Sequence, residues 1–195
     1  MASVATNTVF LFDVDNTLLD NDAVQADLGE YLQREFGHAS CERYWVIFEE
    51  LRAQLGYADY LGALQRYRLE NLDEPQLLQV SFFLLDYPFA QRLYPGALAA
   101  LQRCRSLGVT VILSDGDVVF QPRKVQRSGL WDAVQGRVLI YLHKEEMLPA
   151  VRAIPSSTVK GNATPSRPRN SLHGATIPAT AAATASGLAG VGVAW

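Results

Sequence analysis

Acidic residues are missing from the last quarter of this 195-residue chain: all twenty Asp and Glu fall at or before Glu146, and none occurs among the 49 residues from Met147 to Trp195. Thirteen of the seventeen basic residues lie in the first stretch, so the formal charge of −3 adds a part of −7 to a part of +4. Cysteine is scarce, with Cys41 and Cys104 alone, which excludes a disulfide framework and favours a reducing compartment. No Lys or Arg precedes Arg34, so the charged start of a secretory signal is lacking. No apolar run approaches the roughly 18 residues that span a bilayer. A pI near 5.6 gives no electrostatic footprint for nucleic acid or an anionic membrane. These absences leave a cytoplasmic globular protein as the expectation. The 49% apolar content supplies its core.

Thr8 to Phe12 is a short β-branched and aromatic run that ends in Asp13-Val14-Asp15-Asn16-Thr17, a buried strand entering a polar loop. From Asp22 to Leu85 the apolar residues take helical spacing. Val24, Leu28, Tyr31 and Leu32 form one stripe, Tyr44, Ile47, Phe48, Leu51 and Leu55 a second, and Tyr60, Leu61, Leu64 and Tyr67 a third. Pro75 suits the first turn of a fourth helix. Tyr94-Pro95-Gly96 opens a further helix with Leu98, Leu101 and Cys104 on one face and Gly108 as its stop. Val109 to Leu113 is a second buried strand, ending in Ser114-Asp115-Gly116-Asp117. A helix over Pro122 to Ser128 leads to a third strand, Val138 to Leu142, and then to a helix ending near Ile154. Strands that alternate with helices and end in polar residues predict a parallel α/β sheet with one site at its strand ends.

Asp13 and Asp15 flank a single residue at a strand end. Two carboxylates so close can hold a divalent cation, whose field keeps one ionised as a nucleophile while the other shuttles a proton. Ser114, with Gly116 in the turn after it, offers a hydroxyl and backbone N–H groups to an anion, and Lys144 offers a positive charge beyond the third strand. His143 reads as a packing or surface residue. The two cysteines read as small core residues.

Val9 to Leu19 resembles the first motif of the haloacid dehalogenase superfamily in the form typical of its magnesium-dependent phosphatases. Val111 to Gly116 resembles the second motif, and Lys144 stands where the Lys of the third is expected. The resemblance implies a Rossmann-like core over residues 1–18 and 93–154, with an all-helical cap over 19–92. It also implies Mg²⁺ at Asp13 and Asp15, and a small phosphorylated metabolite as substrate, held by Thr17, Ser114, Gly116 and Lys144. Asp13 would attack phosphorus to form an aspartyl-phosphate. Asp15 would protonate the leaving oxygen and then activate water. The second acid argues against carbon–halogen cleavage, since the dehalogenase subgroup has no acid there.

The fourth motif of that family, a further acid after the next strand, is missing. Ser156 to Asn162 stands in its place, and residues 155–195 form a low-complexity tail rich in Ala, Ser, Thr, Pro and Gly. Loss of acids, periodicity and motif at one point is the pattern that a shifted reading frame near Ala153 would leave. The tail is expected to be largely irregular, with a helical turn at Thr180 to Ala185 and a weak edge strand at Gly187 to Val193. A core truncated there would leave an unpaired edge beside the first strand. A non-catalytic binding protein of the same fold is the alternative reading, and a haloacid dehalogenase the third.

Overall fold

The computed structural model describes residues 8–153 and 191–194. Its centre is a parallel sheet in the order β3-β2-β1-β4, built from β1 (Val9–Phe12), β2 (Val109–Asp115), β3 (Val138–Tyr141) and β4 (Val191–Ala194). β1 pairs with β2 from Val9 opposite Val109, and β2 with β3 from Ile112 opposite Val138. β4 runs parallel to β1 from Val191 opposite Val9, so the edge that the sequence reading leaves bare carries a partner. The expected strand at Gly187 to Val193 overlaps β4, whereas the helical turn expected at Thr180 to Ala185 lies outside the described residues.

Alternation along the strands divides the core between two faces. Leu11, Val111 and Leu113 turn to one side, where Val151 and the partly buried Met147 and Leu148 of α8 (Lys144–Ala153) cover them. Phe12 and Ile112 turn to the other, into a cluster that runs through α5 (Ala97–Arg105), α6 (Phe120–Arg127) and α7 (Leu130–Ala133). That same cluster continues without a break into four helices set between β1 and β2: α1 (Asn21–Phe36), α2 (His38–Leu55), α3 (Tyr60–Glu70) and α4 (Leu77–Asp86). The stripes read from the sequence are the buried faces here, with Val24, Leu28, Tyr44, Phe48, Tyr60 and Leu64 inside. Asp20 and Asp59 cap α1 and α3, each carboxylate accepting a backbone N–H of the first turn. α4 begins two residues after Pro75, which sits in the preceding turn instead of the helix. On α5 the buried positions are Ala97 and Leu101; Leu98 is exposed, because the helix rotates its flank to solvent.

The two chain crossings between sheet and helical insert are bonded to each other. Asp20 N–H donates to the Arg92 carbonyl (2.8 Å), and Tyr94 N–H donates to that of Leu18 (3.0 Å). A line of aromatic rings then ties the insert to α6: Phe48 against Tyr60 (4.9 Å), Tyr60 against Phe120 (5.0 Å) and Phe120 against Phe89 (5.7 Å). No helix among the described residues is long and apolar enough to cross a membrane.

Candidate active site

β1, β2 and β3 deliver polar groups to one end of the sheet. β1 runs into Asp13 and Asp15, β2 ends at Ser114 and Asp115, and β3 leads to Lys144 at the start of α8. The Lys144 ammonium lies 2.7 Å from Asp13 Oδ2 and 3.5 Å from Asp115 Oδ2. Asp115 also accepts the backbone N–H of Lys144 through Oδ1 (2.6 Å), so one carboxylate caps α8 and steers the side chain of its first residue. Asp13 Oδ1 in turn accepts the N–H of Val14 (2.8 Å). Burial works against the charge on Lys144, but the hydrogen bond and charge of Asp13, with the charges of Asp115 and Glu145, outweigh it and hold the ammonium above its ordinary value. Burial pushes the Asp115 carboxyl up, although the Lys144 N–H and ammonium pull the other way.

Asp15 is held by a different element. Gln121 and Lys124, one helical turn apart on α6, approach it together: Lys124 Nζ lies 2.8 Å from Oδ1, and Gln121 Nε2 donates to Oδ2 at 3.2 Å. Gln121 Nε2 also donates to Ser114 Oγ (2.9 Å), and Lys124 Nζ to Asn21 Oδ1 (2.9 Å). Asn21 Nδ2 continues the chain to Tyr60 Oη (3.1 Å), which Gln25 Nε2 also reaches (2.9 Å). Burial pushes the Tyr60 phenol up to about 12, against the opposing pull of the Gln25 and Asn21 donors.

These groups border a cavity of about 280 Å³. Asp13, Asp15, Ser114, Asp115, Gln121 and Lys144 form its sheet side; Asn21, Asp22, Gln25, Arg52, Tyr57 and Tyr60 form its helical side. Two sequence expectations come out differently. Thr17 lies outside the lining and only gives its N–H to the Val14 carbonyl (3.3 Å). The Gly116 N–H is spent on the Tyr141 carbonyl (3.0 Å), and so does not face an anion. What Gly116 supplies is space: at φ 154° a Cβ would stand 2.6 Å from Gln121 Cβ. Asp117 accepts the N–H groups of Val119 and Phe120 at the start of α6 (both 2.7 Å).

Arg43, Tyr44, Arg66 and Tyr67 of the insert do not face the cavity. Arg43 pairs with Glu70 and Arg66 bonds Gln54, while Tyr44 and Tyr67 are core. Arg52, Tyr57, Tyr60 and Gln25 take that position. Gln121, Lys124 and Asn21 were not legible as site residues. The available signal was their helical register, since Gln121 and Lys124 share an arc of α6 with buried Phe120 and Val125. His143 is an exposed packing residue, its ring so close that a Cβ at Gly56 would meet Cε1 at 2.9 Å. Among the described residues no group of three or more His, Cys, Asp and Glu side chains is placed to hold a metal ion.

The description "haloacid dehalogenase-like hydrolase" belongs to a family model that matches residues 8–152. The fold is similar to the crystal structure of a haloacid dehalogenase-like hydrolase from Burkholderia xenovorans LB400, with 68% identity, a TM-score of 0.71 and coverage of 74% of this chain and 67% of that one. It is also similar to a haloacid dehalogenase-like family hydrolase from Xanthomonas campestris at 18% identity, with a TM-score of 0.52 and coverage of 77% and 68%. The L-2-haloacid dehalogenase of Xanthobacter autotrophicus matches at 26% identity and a TM-score of 0.41, over 69% of this chain and 56% of that one. No curated protein matches the chain. A carboxylate-bearing strand end, the Lys144 contact and a family match over residues 8–152 converge, and the chain belongs to the haloacid dehalogenase-like hydrolases.

Proposed function

We propose that this hydrolase is of the phosphatase type, cleaving a small phosphomonoester in the cytoplasm through an aspartyl-phosphate on Asp13. The observation that carries the reading is the pair of carboxylates on one strand end, each matched to its own lysine and both open to one polar cavity. Phosphoryl transfer asks a protein mainly for position and charge stabilisation. An Asp13 oxygen attacks phosphorus, the ester P–O bond breaks, and Asp15 delivers a proton to the departing oxygen. Asp15, now a carboxylate, takes a proton from the water that attacks phosphorus, and the P–O bond to Asp13 breaks to release inorganic phosphate. Lys144 sets Asp13 and offsets charge on the phosphoryl oxygens, and the Ser114 hydroxyl donates to one of them.

The family typically uses Mg²⁺. The donors that fit it here are the Asp13 and Asp15 carboxylates, since Mg²⁺ is commonly held by one or two carboxylates with water and substrate phosphate completing its shell. When bound it would supply positive charge against the transferring phosphoryl group. That no group of three or more His, Cys, Asp and Glu side chains among the described residues is placed to hold a metal ion favours, as a second reading, a weakly active or non-catalytic binding protein.

Hydrolysis of para-nitrophenyl phosphate by the full chain, with Mg²⁺ and with chelator, separates the readings. Mg²⁺-dependent turnover, abolished in Asp13→Asn and accompanied by a phosphorylated Asp13 in acid-quenched samples, supports the phosphatase. A folded, inactive sample supports the binding protein. Halide release from a 2-haloacid without metal supports the dehalogenase.

A further inference from the structure

The Lys124 side chain is buried. A buried ammonium is expensive unless paired, and this one is paired twice, to Asp15 Oδ1 at 2.8 Å and to Asn21 Oδ1 at 2.9 Å. Its remaining surroundings are ring faces, with Nζ 5.1 Å from the centroid of Phe120 and 5.9 Å from that of Tyr60. An apolar side chain of similar length would fill the same space but would leave Asp15 and Asn21 without their donor, and removing one partner of a buried pair is destabilising. Asp15 thus receives a fixed cation on one oxygen and the Gln121 amide on the other.

We propose that Lys124 is a positioning residue for the proton-transferring carboxylate: with Gln121 it fixes both Asp15 oxygens, so that the acid meets the leaving oxygen in one orientation. The inference rests on the role given to Asp15 above. The asymmetry of the site follows, because Asp13 is set by Lys144 from β3 and α8, whereas Asp15 is set by α6. Lys124 does not line the cavity.

The test is Lys124→Met, which keeps length and apolar packing and removes the charge. kcat/KM is compared for a poor leaving group, an alkyl phosphate, and a good one, para-nitrophenyl phosphate. General acid catalysis is worth roughly 10²-fold or more, so the alkyl ester is expected to lose about 100-fold and the aryl ester no more than about threefold. The double variant with Asp15→Asn is expected to be no slower than Asp15→Asn alone. Equal losses on both esters, or losses that multiply in the double variant, overturn the proposal. A crystal structure of Lys124→Met gives a readout independent of activity: the Asp15 carboxylate is expected in a different rotamer, and an unmoved Asp15 overturns the proposal. Wild-type inactivity on both esters defeats the phosphatase reading while the crystallographic result still decides the role of Lys124.

Discussion

Replacing Phe120 by Ala tests whether insert and sheet form one cooperative unit. The ring is 1% exposed, packs against Tyr60 of α3 and Phe89 beyond α4, and faces the Lys124 ammonium at 5.1 Å. Truncating a buried Phe costs about 3–5 kcal/mol, and two ring pairs with a cation over the face place this site at the upper end, about 5 kcal/mol. For a chain of this size each kcal/mol moves Tm by roughly 2–4 °C, so a drop of about 10–20 °C is expected. Calorimetry should show one transition in wild type and variant alike, because the buried cluster runs from Phe12 through Leu28, Phe48 and Tyr60 to Leu130. Phe120→Leu restores much of the volume and should recover more than half of the loss. Two transitions, of which only the one for the sheet moves, would refute the reasoning, as would a shift under about 3 °C.

Gly116→Ala should push on Gln121, releasing both Ser114 and Asp15, and is expected to lower stability by about 1–3 kcal/mol and turnover by about tenfold, measured by urea unfolding and steady-state hydrolysis. Burial raises the Asp27 carboxyl, but hydrogen bonds from Tyr87 and Arg92 and the Arg92 charge outweigh it and hold the group below its ordinary 3.8. Its stabilisation is therefore present above 3.8 and lost as pH falls through the lowered value; Asp27→Asn should be less stable at pH 7 by about 1–2 kcal/mol and show a shallower acid decline in unfolding midpoints. Tyr60, with its phenol raised to about 12, favours the fold below 10 and loses that contribution as pH rises through 12. Tyr60→Phe should flatten that alkaline decline and remove a phenolate absorbance step near pH 12.

Much of this arrangement was legible in the residues. The three strand ends could be read because short apolar runs stop abruptly at polar groups, and a parallel sheet brings such ends to one edge. Asp13 and Asp15 needed no tertiary information, being two residues apart at the end of β1. Lys144 was placed by its resemblance to the third motif of the family, and the structure adds the reason it points inward: Asp115 takes its backbone N–H and faces its ammonium. The role of α6 was hidden by composition. Phe-Gln-Pro-Arg-Lys-Val-Gln-Arg reads as a solvated helix, and only packing between sheet and insert buries Gln121 and Lys124. The insert residues that line the cavity were equally hidden, because Arg52 and Tyr57 sit at the end of α2 and in the loop after it, where periodicity says nothing about direction.

The same short helix thus carries two kinds of information on one arc. Phe120 and Val125 anchor it in the shared core, while Gln121 and Lys124, on that same buried side, hold Ser114 and Asp15. A core of this density transmits small displacements, since packed side chains have few alternative positions. A shift of α6 therefore moves Asp15 relative to Asp13, whose own setting comes from β1 and Lys144. Volume changes at Phe120 and charge changes at Lys124 are therefore coupled perturbations of one geometry, and their free energies should fail to add, whereas changes at Leu139 or Val151 on the opposite face of the sheet should add independently to either.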